Sequence, residues 1–239
     1  MIRIISLFLL FTISPILSAN NDPSSHLEKE AAYQPKVSKS EALTSKVWDK
    51  LKNNPELPPK DLLELAISGY INLVEDGLVK RKARLSIIDF SLPSSSKRLW
   101  IIDLDEGEIL YHSLVSHGRN SGDLMAKKFS NINSSFMSSL GFYVTGETYQ
   151  GKHGYSLRLD GVEKGFNDNA RERAIVIHGA DYANKDFVQA TGRLGRSLGC
   201  PALPMALHKD IINTIRGGSC LFIYGNDESY LNQSPLINS

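Results

Sequence analysis

The chain is poor in cysteine, has no charge excess of either sign, and lacks an apolar run long enough for a transmembrane helix. Two cysteines, Cys200 and Cys220, occur among 239 residues. That is too few for a disulfide-built scaffold, although one bridge between them is compatible with an oxidising compartment. Basic and acidic side chains number 27 and 26, a formal charge of +1. A surface that binds nucleic acid or an anionic membrane needs a basic excess, so neither partner is expected. No Cys-x-x-Cys or His-x-x-x-His pair occurs, so His112, His117, His153, His178, His208 and the two cysteines do not form a recognisable zinc set. No metal or other cofactor is expected. A Gly-x-Ser-x-Gly elbow is missing, which argues against a serine hydrolase of that type. The glycine-rich stretch Ser116–Gly122 lacks the spacing and lysine of a phosphate loop. Internal repeats and low-complexity tracts are also absent.

What is present begins with a secretory signature over residues 1–19. Arg3 supplies a positive start, Ile4 to Ile13 is largely apolar, Pro15 breaks the run, and Ala19 offers a small residue for cleavage. The run falls short of the roughly 20 residues that cross a bilayer, so the mature protein is expected to be exported and not membrane-spanning. No cysteine near the cleavage site offers a lipid attachment point. Residues 20–39 are polar, with Pro23 and Pro35, and read as a flexible linker.

Ser38 and Glu41 have the spacing of a capping box and open a helix striped with Leu43, Val47 and Leu51. Pro58 and Pro59 lead a second helix over Lys60 to Glu75, which Gly77 caps. Residues 40–80 thus form a helical extension, expected to sit as a satellite on the main domain. After Lys80 the period shortens. Runs at Arg84–Phe90, Leu99–Leu104, Glu108–Ser116, Gly141–Thr145, Tyr155–Leu159, Ala174–His178 and Cys220–Tyr224 read as strands, the second and third joined as a hairpin by Asp105-Glu-Gly107. Met205 to Arg216 reads as a helix. Residues 81–225 therefore form one mainly β domain with a helix near its end, and 226–239 a frayed tail.

Two residues stand out chemically. His178 ends the apolar run Ala174-Ile-Val-Ile-His178, and Cys200 sits between Gly199 and Pro201. A thiol attacks as its thiolate, so a catalytic cysteine needs a base or a positive field nearby. Flanking glycine lets backbone N–H groups converge on a substrate oxygen. The competing readings are a structural histidine at a sheet rim, and a Cys200 that is inert or paired with Cys220.

Ile177-His-Gly-Ala-Asp-Tyr182 together with Arg193-Leu-Gly-Arg-Ser-Leu-Gly-Cys-Pro-Ala202 resembles the murein L,D-transpeptidase catalytic domain, the YkuD-like superfamily, in its divergent Gly-Arg-Ser-x-Gly-Cys-Pro branch. Leu99–Asp103, Ser139–Val144, Gly151–Leu159 and Gly165–Asp168 are also similar, so the likeness covers about residues 81–225. The resemblance implies an L,D-transpeptidase-like β-sandwich with Cys200 as nucleophile and His178 as general base. The Gly179 carbonyl would orient the imidazole, and the backbone amides of Ser197, Leu198 and Gly199 would form the oxyanion hole. It further implies peptidoglycan stem peptides as substrate, bound with help from Arg193, Arg196, Tyr155 and His153, and a periplasmic or other extracytoplasmic location at the cell wall. Two departures matter: Leu198 stands where many members have histidine, and Ala202 where they have arginine. Transpeptidation, carboxypeptidation and a silent peptidoglycan-binding module remain the alternatives. A papain-like peptidase is disfavoured because its cysteine precedes its histidine in the chain.

Overall fold

The computed structural model describes residues 38–238. The secretory segment and nearly all of the expected linker lie outside that range. Among the described residues the elements run α1 (Lys39–Leu51), α2 (Lys60–Glu75), β1 (Arg84–Asp89), β2 (Leu99–Asp103), β3 (Glu108–Ser113), β4 (Gly141–Gly151), β5 (Gly154–Gly161), β6 (Val176–Ala180), α3 (Lys185–Thr191), β7 (Ala202–Pro204), α4 (His208–Ile215), β8 (Cys220–Tyr224) and α5 (Glu228–Gln233).

The mainly β class holds, with all eight strands hydrogen-bonded into one sheet in the order β3-β2-β1-β8-β4-β5-β6-β7. Pairing is antiparallel except at β1–β8 and β6–β7. The core strands β1 and β2 are buried along almost their whole length, which matches their unbroken apolar runs. Asp105–Gly107 closes the β2–β3 hairpin, with the Gly107 amide donating to the Asp103 carbonyl at 2.8 Å.

The capping box of α1 is formed in both directions between Ser38 and Glu41. Both helices share the core of the sheet instead of standing off as a satellite. Val47, Leu51, Leu63, Ala66 and Ile67 are buried in the same cluster as Ile87, Ile101 and Phe222. Gly69 allows the close approach, since a Cβ there would lie 2.1 Å from the Phe142 ring. The connection between the helices is also docked: the Trp100 indole N–H donates to the Glu56 carbonyl at 2.6 Å.

Three elements were not anticipated. Helix α3 buries none of its residues and so leaves no apolar period, although Asn184 caps its start and Gly192 its end. Strand β7 is only three residues long and ends in proline. The expected frayed tail instead contains α5, whose Tyr230 is 1% exposed. The helix expected over 205–216 is shorter, because Met205 to Leu207 form a turn before it.

Candidate active site

Strand β6 places the first functional group. Its parallel register sets His178 opposite Ala202 of β7, two residues beyond Cys200. Burial leaves His178 only 2% exposed. Its Nδ1 lies 2.9 Å from the Gly179 carbonyl, which fixes the proton on Nδ1 and leaves Nε2 as the basic nitrogen. Burial pushes the His178 pKa down, aided by His153 and His208, while the Gly179 carbonyl opposes the shift. The imidazole is therefore neutral at neutral pH, as a general base must be.

Gly199 has φ +124°, and a Cβ there would lie 2.8 Å from the Met137 carbonyl oxygen. Glycine is required for this turn, and the turn carries the thiol. The Ser197 hydroxyl donates to the Cys200 carbonyl at 2.6 Å and accepts from the Gly199 amide at 3.1 Å, so the loop is braced from within. Cys200 Sγ accepts from the Val176 amide at 3.4 Å and lies 3.6 Å from the Ala174 carbonyl, to which it can donate. No hydrogen bond joins it to His178. Cys200 and Cys220 are both free thiols.

Of the three amides expected to form an oxyanion hole, two are already engaged. Ser197 N–H donates to the His117 carbonyl at 3.0 Å, and Gly199 N–H to Ser197 Oγ. The amides of Leu198 and of Cys200 itself have no acceptor among the described residues. Leu198, at the position where many members have histidine, is 56% exposed.

The expected substrate contacts are distributed unevenly. Arg196 donates to Asp123 at 2.7 Å and to the Gly122 carbonyl at 3.1 Å. Arg193 lies 3.8 Å from the same carboxylate and donates to the Leu194 carbonyl at 2.7 Å. Both guanidinium groups thus brace the 118–123 loop against the cysteine loop. The Tyr155 hydroxyl donates to Asn213 at 2.7 Å. Of the four, His153 has its ring stacked on that of His178, with centroids 4.4 Å apart.

Two residues near the site carry no local sequence signal. Arg173 precedes Ala174, a non-glycine residue at φ +53° that turns the chain into β6. Its guanidinium donates to the Ser130 and Met137 carbonyls, both at 2.6 Å, and to the hydroxyls of Ser139 and Ser135, both at 3.2 Å. No carboxylate among the described residues pairs with it. Burial pushes the Cys200 thiol up, and the Val176 amide and the Arg173 charge pull against that. His208 is the other residue. It lies against Gly179, where a Cβ would sit 2.7 Å from its ring. The sequence pattern placed Arg173 in a polar connection and His208 in a helix, and only the fold brings either to the site.

The sequence model of the L,D-transpeptidase catalytic domain family matches residues 54–224. The match starts earlier than the resemblance over 81–225 and takes in α2. Among solved structures, an L,D-transpeptidase from Mycobacterium smegmatis is similar at 14% identity and a TM-score of 0.37, over 59% of this chain and 58% of that one. An L,D-transpeptidase from Stackebrandtia nassauensis is similar at 12% identity and a TM-score of 0.38, over 79% and 78%. The chain thus spans under two thirds of the length of the Mycobacterium smegmatis protein. No curated protein matches. The chain belongs to the L,D-transpeptidase catalytic domain family.

Proposed function

We propose that this member of the L,D-transpeptidase family is an exported cysteine acyltransferase acting on peptidoglycan stem peptides. The observation that carries the reading is the Nδ1 contact of His178 with the Gly179 carbonyl at 2.9 Å, on the strand whose Val176 amide holds the Cys200 thiol. One strand thereby supplies an oriented base and a donor to sulfur, and both are needed to use a thiolate.

In the proposed reaction the Cys200 side chain turns from Val176 toward His178, whose Nε2 takes the thiol proton. The thiolate attacks the carbonyl carbon of the third residue of a tetrapeptide stem. The amides of Leu198 and Cys200 stabilise the resulting oxyanion. As the C–N bond breaks, His178 returns the proton to the departing D-alanine amine, leaving a thioester on Cys200. An amine from a second stem then attacks the thioester and gives up its proton to His178, the C–S bond breaks, the Cys200 sulfur takes that proton back, and the cross-linked product leaves. Water in place of the amine makes the same site an L,D-carboxypeptidase. The composition of residues 1–19 supports export. Among the described residues, no helix is long and apolar enough to cross a membrane.

Cys200→Ala should abolish release of D-alanine from purified muropeptides. Undiminished release by the folded variant overturns the mechanism. A second reading, a peptidoglycan-binding module without turnover, is favoured by the thiol resting on Val176 rather than on His178. It predicts wild-type binding to sacculi with neither D-alanine release nor a covalent adduct on Cys200 with a carbapenem.

A further inference from the structure

The β4–β5 hairpin ends in the two-residue loop Lys152-His153 between the register partners Gly151 and Gly154. Gly154, at φ +73°, takes the left-handed position, which a side-chain-bearing residue adopts only at a cost. Across the sheet Ser156 of β5 is the register partner of His178, so the hairpin tip rises beside the base. His153 is exposed, yet its ring lies nearly parallel to that of the buried His178, with centroids 4.4 Å apart and planes 22° apart. No hydrogen bond or ion pair holds His153 there among the described residues.

We infer that His153 is a positioning residue for the base, its ring clamping the plane of His178 and covering it from water. The Gly179 carbonyl fixes one edge of the His178 ring but still permits rotation about that contact. A stacked ring on one face removes this freedom and holds Nε2 in one direction. His208, packed against Gly179, supports the same residue pair from elsewhere on the fold. Its Nδ1 is held by the Met205 carbonyl at 2.8 Å. The base therefore has two supporting histidines, neither of them at position 198, where this chain has leucine and many members have histidine. The clamp role rests on His178 being the base, but the stack itself does not depend on which acceptor resolves the thioester.

The groups facing His178 are His153, His208 and the Gly179 carbonyl. The test compares wild-type protein with His153→Ala and His153→Phe, which removes the nitrogens but keeps a flat ring. The imidazole nitrogens of His178 are titrated by NMR with 15N-histidine labelling, the signal being assigned by its loss in His178→Ala. Loss of the covering ring should move the His178 midpoint up toward an ordinary histidine in His153→Ala. In His153→Phe the covering ring is kept and only the electrostatic push of His153 is lost, so the midpoint should rise less than in His153→Ala. D-alanine release should fall in kcat by about tenfold for His153→Ala with KM little changed, and recover in His153→Phe. Overlaid His178 titrations of His153→Ala and wild type overturn the inference, as does a His153→Phe protein as impaired as His153→Ala. If the wild-type protein releases no D-alanine the proposed function fails, and the NMR comparison alone then decides the clamp.

Discussion

Cys200 hangs its thiol on the backbone of Val176, whose amide donates to Sγ at 3.4 Å, and not on the ring of His178. His178 lies in β6 and Cys200 two residues before its parallel partner β7, yet the two side chains face different partners. His178 is tied to Gly179 and stacked by His153, while Cys200 sits in the turn of Ala174 and Val176. The proposed reaction therefore needs a rotation of the cysteine side chain away from Val176.

The pH dependence of acylation should follow from His178. Its pKa is lowered by burial, and only the neutral ring accepts the thiol proton. Activity is present above the folded-state value and is lost as pH falls through it. The acid limb of kcat/KM for D-alanine release should therefore lie below about 6.5, the ordinary histidine value. A midpoint at or above that value contradicts the assignment of His178 as base.

Arg173 supplies positive charge beside the half-buried Cys200 thiol, so removing it should make Cys200 a poorer nucleophile. An opposite charge nearby shifts a titration by about one unit or more, so Arg173→Met should slow alkylation of Cys200 at pH 7 about tenfold. Arg173→Lys keeps the charge but loses the forked contacts to Ser130, Ser135, Met137 and Ser139, and should retain most of the rate. The check is the iodoacetamide rate against pH, with circular dichroism to establish folding. Equal rate profiles for folded Arg173→Met and wild type would show that the guanidinium only braces the loop.

Much of the fold was legible where physics acts locally. Ser38 and Glu41 announce α1 because the capping box is a short-range device, and the apolar stripe over Lys60 to Glu75 matches α2 in extent. Strand β8 coincides with the run Cys220 to Tyr224 because burial on both faces leaves an unbroken apolar signal. Helix α3 has no buried residue and β7 has three residues, so neither carries a period to read. At the site, His178, Gly179 and Cys200 are marked by strand-end and glycine context. Arg173 and His208 reach it only through the turn before β6 and the start of α4, and His153, expected among the substrate contacts, meets His178 only through the β4–β5 hairpin. Those placements depend on sheet order, which local pattern does not encode.

Glu163 fastens α5 to the sheet. Its Oε2 accepts from the Phe142 amide at 2.6 Å and from the Tyr230 hydroxyl at 3.0 Å, and its Oε1 from the Ser234 hydroxyl. Glu163→Ala leaves these donors buried without an acceptor, which should cost about 2–4 kcal/mol in stability. Hydrogen exchange should show the amides of residues 228–234 losing protection before the strands do. Unchanged protection there would mean that apolar packing of Tyr230 holds α5 without the carboxylate.

His117 should make stability fall in mild acid. It is 1% exposed. Arg98 donates to its Nδ1 at 2.8 Å, so the neutral tautomer bears its proton on Nε2, 3.3 Å from the Gly122 carbonyl. Burial, reinforced by the Arg98 charge, pushes its pKa from 6.5 down to about 4. The unfolded chain therefore binds the proton first as pH falls, and stability contributed above pH 6.5 is lost progressively down to about pH 4. Between pH 7.5 and pH 5 this one residue should remove about 2 kcal/mol. Urea unfolding of wild type and His117→Gln at both pH values isolates the effect from other titrating groups. The glutamine variant should lose less stability than wild type by about that amount, whereas equal losses would show that His117 is not the acid-sensitive group.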